Sequence, residues 1–367
     1  MNSLDRLPSI LEKISSKNIL LVSDHGLEKI GVTARVEKIL KEAGITVNSF
    51  LDVLPNPTVD IVNAAVRMHK ECGASGIIAL GGGSPMDVAK AAGVLVRYGK
   101  SITDYEGAEM VPGPIEPVIA IPTTAGTGSE ATPFAVITDT SRNYKLTVSS
   151  HNLLPEYAIL DPSLIMTAPA GIAAACGLDA MIHALEAYTS LAATPFSDAM
   201  AEKALELIGG NIRRFVANRM DEHAAGAMMA GSNFAGIAFS WARLGNVHAM
   251  SHPVSANFGV PHGVANAILL PTIVEYNALA DRGRYEKIYN WIRDKKLPAK
   301  DFCPQVLVDE IRELNRNLGI PASLSAAGVT KDRFEAMAKD AMASGNIAVN
   351  ARQTTLYDVI ALYEKAF

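Results

Sequence analysis

Eight histidines occur in the 367 residues, and four of them fall in two apolar stretches of helical period, beside one unpaired aspartate. In Gly177-Leu-Asp-Ala-Met-Ile-His-Ala-Leu-Glu186, Asp179 and His183 stand at i,i+4, on one helix face. In Val247-His-Ala-Met-Ser-His-Pro-Val-Ser-Ala-Asn-Phe-Gly-Val-Pro-His-Gly263, His248 and His252 repeat that spacing. Pro253 is expected to interrupt this helix, and Pro261 precedes His262 at a fresh helix start. Oxygen plus imidazole suits a borderline divalent ion such as Zn²⁺ or Fe²⁺. A lone histidine on an apolar face is ordinarily a satisfied core residue. Two such pairs reverse that reading, because buried charge requires a partner. His25, His69, His151 and His223 read as surface or loop residues, with His151 the one kept open as a site candidate.

A second kind of chemistry is written in glycines. Gly81-Gly-Gly-Ser-Pro-Met-Asp87 follows an apolar run and opens a helix, with Ser84 and Pro85 expected at N-cap and N1. Glycine lets the backbone approach an anion, and a helix start offers free N–H groups and partial positive charge. The bland reading is a capped turn, since Ser84-x-x-Asp87 is a capping-box variant. The stretch is neither GxGxxG nor a P-loop. Pro122-Thr-Thr-Ala-Gly-Thr-Gly-Ser-Glu130 adds hydroxyls after another apolar run, where open α/β sheets bind ligands. Asp24 is a candidate for an adenosine ribose, with Asp52 its competitor.

The elements that must carry these groups divide the chain in two. Strands are predicted at Asn18–Asp24, Ile45–Leu51, Gly76–Leu80, Pro117–Ile121 and Ala158–Asp161, with helices over Val32–Ala43 and from Thr58 to Lys70. Apolar strands alternating with helices predict a parallel sheet covered on both faces. From about Pro169 helical period dominates: Ala170–Thr189, Pro195–Ala217, His223–Gly245, Val264–Ala280, Gln305–Leu318 and Thr354–Phe367. The expected division is an α/β domain over 1–167 and an all-helical domain over 168–367.

Composition bounds the partners. The 33 Lys+Arg against 38 Asp+Glu give a formal charge of −5 with no basic run, which argues against nucleic acid and anionic membrane as partners. Three scattered cysteines, Cys72, Cys176 and Cys303, fit a reducing cytoplasm and offer no CxxC metal spacing. The N-terminus lacks a signal-peptide pattern, and no uninterrupted apolar run reaches 18 residues.

Taken together, Gly81–Pro85, Pro122–Thr127, Gly177–Glu186 and the His248/His252/His262 block running into Ala265-Asn-Ala-Ile-Leu-Leu-Pro271 resemble the iron-containing (group III) alcohol dehydrogenases. That family includes 1,3-propanediol dehydrogenases and lactaldehyde reductases, and the likeness runs from about Asn18 to the C-terminus. It implies a Rossmann-like dinucleotide-binding domain followed by an all-α domain, the dehydroquinate synthase-like fold. By the family pattern Asp179, His183, His248 and His262 would hold the metal, and His252 would stand beside it as a proton relay. Gly82, Gly83, Ser84, Asp87, Thr123, Thr124, Thr127 and Lys145 would serve the cofactor. Asp24 would favour NAD over NADP by repelling a 2′-phosphate. Two departures from the family pattern are expected: members usually carry an extra strand-containing segment before the equivalent of Leu4, where this sequence starts late, and Asn350-Ala-Arg352 replaces Asn-Pro-Arg, expected to lie far from the chemistry.

The expected activity is hydride transfer between a small primary alcohol or diol, or its aldehyde, and NAD(H), with Fe²⁺ (or Zn²⁺) stabilising the alkoxide. Phe134 and Phe258 are candidates for the substrate pocket. A homo-oligomer in the cytoplasm is expected. The rivals are a glycerol dehydrogenase or dehydroquinate synthase-like enzyme, and a non-catalytic nucleotide- or metal-binding module. A synthase requires a basic cluster for a phosphorylated acid; Arg213, Arg214 and Arg243 stand apart in the sequence. NADH formation from simple alcohols separates an enzyme from a binding module.

Overall fold

The computed structural model describes residues 1–142, 144–293 and 297–367. The chain forms two compact units: Met1–Thr124 with Gly128–Ile165, and Ala125–Thr127 with Met166–Phe367.

Among its described residues the first unit carries eight strands: β1 (Asn18–Val22), β2 (Thr46–Phe50), β3 (Ile77–Gly81), β4 (Gly107–Ala108), β5 (Val118–Pro122), β6 (Phe134–Asp139), β7 (Tyr144–Ser149) and β8 (Tyr157–Ala158). Five make a parallel sheet in the order β2-β1-β3-β5-β8. Alternation along the strands sorts side chains to two cores. Leu20, Val22, Ile77 and Ala79 face one helical layer, whereas Ile19, Leu21, Ile78 and Leu80 face the other. Both faces are covered, which is why these strands read as continuous apolar runs. The order reverses direction between β1 and β3, so the switch-point crevice lies at their C-terminal ends.

Three expectations shift here. The β6–β7 antiparallel hairpin, paired to β4, escaped the sequence reading, although its buried positions alternate with period two. The last strand is Tyr157–Ala158 rather than Ala158–Asp161, because Asp161 turns to cap the Pro162–Leu164 turn and to accept from the Leu4 amide at 3.2 Å. His69 is not a surface residue. It is 4% exposed in the Val59–Cys72 helix, with Nε2 3.7 Å from Glu116 and without a hydrogen-bond partner among the described residues.

Burial, then Lys70, lowers the pKa of His69. The unfolded chain therefore takes up a proton near pH 6.5 that the folded protein refuses, and stability falls as pH drops through that value. Denaturant unfolding at pH 7.5 and 5.5 should show His69→Gln flattening this dependence, by at most about 1.4 kcal/mol per pH unit. Equal pH slopes for parent and variant would refute the assignment.

The second unit is helical, with no strand among its described residues. Its central helix, Ala170–Thr189, is the one described helix long and apolar enough to cross a membrane, yet 72% of that stretch is buried inside the protein. An all-round apolar helix of this kind is a core helix. Pro195–Gly209, Glu222–Ala242 and His262–Asn277 pack against it, and Asn246–Phe258 packs on His262–Asn277. Pro253 does not interrupt its helix: Asn246–Phe258 runs through it. The missing N–H forgoes one backbone bond, but the ring is buried and tertiary packing holds the turn.

Candidate active site

Asp179 and His183 project from the central helix, His248 from the Asn246–Phe258 helix, and His262 is the first residue of the His262–Asn277 helix. One donor atom from each of Asp179, His248 and His262 lies within 4.8 Å of the others. Asp179 Oδ1 is the hub, 3.5 Å from His248 Nε2, 3.6 Å from His262 Nε2 and 3.9 Å from His183 Nε2. Donors about 2.0–2.1 Å from a common ion stand roughly 3.4 Å apart at tetrahedral angles, close to these separations. His183 sits beside the trio, stacked on His248 and on Phe239 with ring centroids 4.5 Å apart in both cases. His252 is exposed and stacks on His262 at 5.1 Å.

One further side chain lies between these donors. Asn266 Nδ2 lies 2.7 Å from Asp179 Oδ1 and 3.1 Å from Nε2 of both His248 and His262. An amide nitrogen has two hydrogens and cannot serve three acceptors, while its own buried Oδ1 has no hydrogen-bond partner among the described residues. The residues therefore fit a divalent ion. Burial opposes ionisation of Asp179, but the imidazoles of His183, His262 and His248 hold its carboxyl below the usual range. Burial lowers the pKa of His183, which favours the neutral imidazole with one ring nitrogen able to ligate. Burial pushes the Cys176 thiol up to about 12, with Asp179 adding to it, so the donor set is oxygen and nitrogen.

Sequence reasoning missed Glu186 and Asn266. Glu186 is 4% exposed and its Oε2 lies 2.6 Å from His248 Nδ1. Its signal was present, because Asp179, His183 and Glu186 follow i, i+4, i+7 on one face. Asn350 is a correction as well: its Oδ1 accepts from the Asn246 amide at 3.2 Å, so the Asn350-Ala-Arg352 segment buttresses the start of the helix carrying His248. The chain folds back there across a sequence gap that local pattern does not reveal.

In the first unit, Gly81 and Pro122 are register partners, so the loops after β3 and β5 leave the sheet side by side. The helix Gly83–Tyr98 starts with Gly82 as N-cap, and Ser84 and Pro85 lie inside its first turn rather than at N-cap and N1. Proline is tolerated there because the early N–H groups lack intrahelical acceptors. A Cβ on Gly82 would stand 3.4 Å from Thr124 Oγ1, ordinary contact distance, so the two loops lie against each other. Thr123 is buried, its amide donating to Gly81 O at 3.0 Å. Asp87 forms no capping box; it accepts from Ser129 Oγ at 3.2 Å and from the Val136 amide at 3.3 Å. Fully buried Lys90, also unforeseen, sets Nζ 2.6–3.2 Å from five oxygens of Ser129, Thr132 and Phe134. Together they brace the turn that follows the threonine loop. Asp24 ends up beyond β1 at the switch point, where its Oδ1 caps a short helix through the Leu27 amide at 3.0 Å. Asp52 pairs instead with His25. Lys145 donates to Asn56 Oδ1 at 2.7 Å, and His151 is an exposed residue paired with Glu109. Ala125–Thr127 goes with the second unit, where a Cβ on Gly126 would come within 2.8 Å of Cys176 Cβ.

One chain thus carries glycine and threonine loops at the C-terminal ends of neighbouring parallel strands and a cluster of one carboxylate and two imidazoles whose spacing fits a divalent ion. Models of the iron-containing alcohol dehydrogenase family match residues 1–162, and that family's C-terminal model matches residues 173–367. The chain belongs to the iron-containing alcohol dehydrogenase family, and is an oxidoreductase of that class. It is 36% identical over 358 residues to the NAD-dependent methanol dehydrogenase of Bacillus methanolicus, covering 97% of this chain and 94% of that one. It is also 36% identical over 351 residues to the lactaldehyde reductase of Escherichia coli, covering 95% and 91%. Among solved structures, a 1,3-propanediol oxidoreductase superposes with a TM-score of 0.96 at 35% identity, covering 100% of this chain and 96% of that one.

Proposed function

We propose that this protein transfers hydride between a small primary alcohol or diol, or the corresponding aldehyde, and NAD(H). The observation that carries the reading is the convergence of Asp179, His248 and His262 around an over-subscribed amide. Asp179, His183, His248 and His262 hold a divalent ion, Fe²⁺ with Zn²⁺ as the alternative. When bound, the ion supplies Lewis-acid polarisation of an alcohol or carbonyl oxygen. The chain's own side chains do the rest. Phe239, stacked on His183, helps to fix the orientation of that imidazole. His252, exposed and stacked on His262, carries a proton between the site and solvent on its ring nitrogens. The first-turn amides at Gly82, Gly83 and Ser84, with Thr123, Thr124 and Thr127, hold the cofactor's phosphates and neighbouring groups. Asp87 braces these loops, Lys145 supplies a nearby positive charge, and Asp24 receives the adenosine ribose. Its carboxylate disfavours a 2′-phosphate, hence NAD over NADP. A phosphorylated-acid substrate is disfavoured because Arg213 and Arg214 are committed to Glu310 and Asp221. We place the enzyme in the cytoplasm as a homo-oligomer, on the cysteine usage and the family likeness.

The test is NADH formation from a panel of short alcohols and diols, and its reverse with aldehydes, in anaerobically purified protein of measured metal content. Absence of turnover in fully Fe²⁺- and Zn²⁺-loaded protein would sink the proposal. His252→Ala should keep the metal, lower kcat by about 10²-fold and alter the pH profile. Loss of stoichiometric metal in that variant would make His252 a ligand instead.

A further inference from the structure

Glu186 lies one turn beyond the proposed ligands on the central helix, is 4% exposed, and its sole ion-pair partner among the described residues is His248. Three donors converge on its two oxygens. The Val247 amide donates to Oε1 at 2.6 Å, while the His248 amide at 3.3 Å and His248 Nδ1 at 2.6 Å meet Oε2. The helix these residues begin, Asn246–Phe258, gets no side-chain cap from its own N-cap, Gly245. The carboxylate therefore acts as the missing cap from another helix, with its charge at the positive end of the dipole. Gly245 makes room for it, since a Cβ there would stand 3.0 Å from Glu186 Oε1 and 2.9 Å from Asn350 Oδ1.

We propose that Glu186 is a positioning residue for the metal centre: one carboxylate fixes the tautomer and rotation of His248 and caps the helix that carries it. A carboxylate only accepts, so Nδ1 bears the hydrogen and Nε2 turns its lone pair toward Asp179 and His262. The backbone bonds lock the imidazole's own main chain to the same oxygens, which leaves the ring little freedom. Glutamine cannot replace it. With one acceptor oxygen for three donors, it either exposes a backbone N–H or sets its NH₂ against Nδ1. The second case drives His248 to the Nε2–H tautomer, which presents a hydrogen to the ion.

This inference rests on the metal site proposed above, and the experiment separates the two. Zn²⁺ affinity is measured by chelator competition on full-length protein, Co²⁺ absorption reports the ligand geometry, and ¹⁵N-histidine NMR of the Zn²⁺ form reports the tautomer. Glu186→Gln should weaken Zn²⁺ binding by about 10–100-fold and change the Co²⁺ spectrum. The parent should show His248 protonated at Nδ1. A lowered melting temperature with affinity within twofold of the parent would overturn the proposal, because capping alone predicts that result. Should Glu186→Gln fail to fold, Gly245→Ala, which crowds the carboxylate without removing it, should give a smaller loss of affinity; unchanged affinity there is equally fatal. His262→Ala is the control. If it loses Zn²⁺ while Glu186→Gln binds like the parent, only the role of Glu186 falls. If it retains Zn²⁺ at parental affinity, the metal site itself is wrong and this proposal falls with it.

Discussion

His262→Ala should abolish turnover and bound metal together while leaving the fold intact. The side chain is 35% exposed, so its removal leaves no unfilled core. Its Nε2, 3.6 Å from Asp179 Oδ1, is nevertheless one of three donors that meet at a single point. Lewis-acid stabilisation amounts to several kcal/mol, so kcat/KM should fall on the order of 10³-fold or more. NAD binding should survive, because the glycine and threonine loops belong to other elements. Thermal unfolding gives an independent reading: Zn²⁺ should raise the melting temperature of the parent by mass action and leave that of the variant unmoved. Retained turnover in metal-free His262→Ala would show that the chemistry lies elsewhere. Asp179→Asn should give the same loss of metal with a larger loss of stability, since that carboxylate is buried among three imidazoles.

The second large effect comes from one methyl group. Gly263→Ala would place a Cβ 2.2 Å from the Ala175 carbonyl oxygen, so the His262–Asn277 helix must move off the central helix. Gly263 is helical, and alanine there carries no backbone strain; the whole effect is overpacking. The expected cost is about 3 kcal/mol, a fall in melting temperature of roughly 6–12 °C for a unit of this size. Because Gly263 follows His262 and Ala175 precedes Asp179 by one turn, the same movement should also weaken Zn²⁺ binding. Gly171→Ala on the central helix, where a Cβ meets nothing within 4 Å, is the control and should be neutral or stabilising. A Gly263→Ala protein that melts with the parent would contradict the packing described here.

Local periodicity was enough to locate most elements of both units. Apolar runs marked β1, β3 and β5 because a strand covered on both faces cannot alternate. The i,i+4 spacing set Asp179 and His183 on one face because that periodicity is a property of the helix alone. Errors arose where an element answered to distant partners. Pro253 stays helical because its ring is buried, Ser84 lies inside a helix that begins at Gly83, and His69 is buried against Glu116.

By itself, then, the sequence determined the kinds of donor available, their spacing along each helix, and the glycine and threonine loops at strand ends, since these depend on a few bonds of backbone geometry. Which donors meet was a matter for the tertiary structure. Asp179 reaches His248 and His262 only because the His262–Asn277 helix packs on the central one, closely enough to require glycine at 263, and the Asn246–Phe258 helix packs in turn on His262–Asn277. The same crossings bring Glu186 to His248 across 62 residues and Asn266 to Asp179 across 87. Spacing within a helix says where a side chain points. Only the packing of helix against helix decides what it points at.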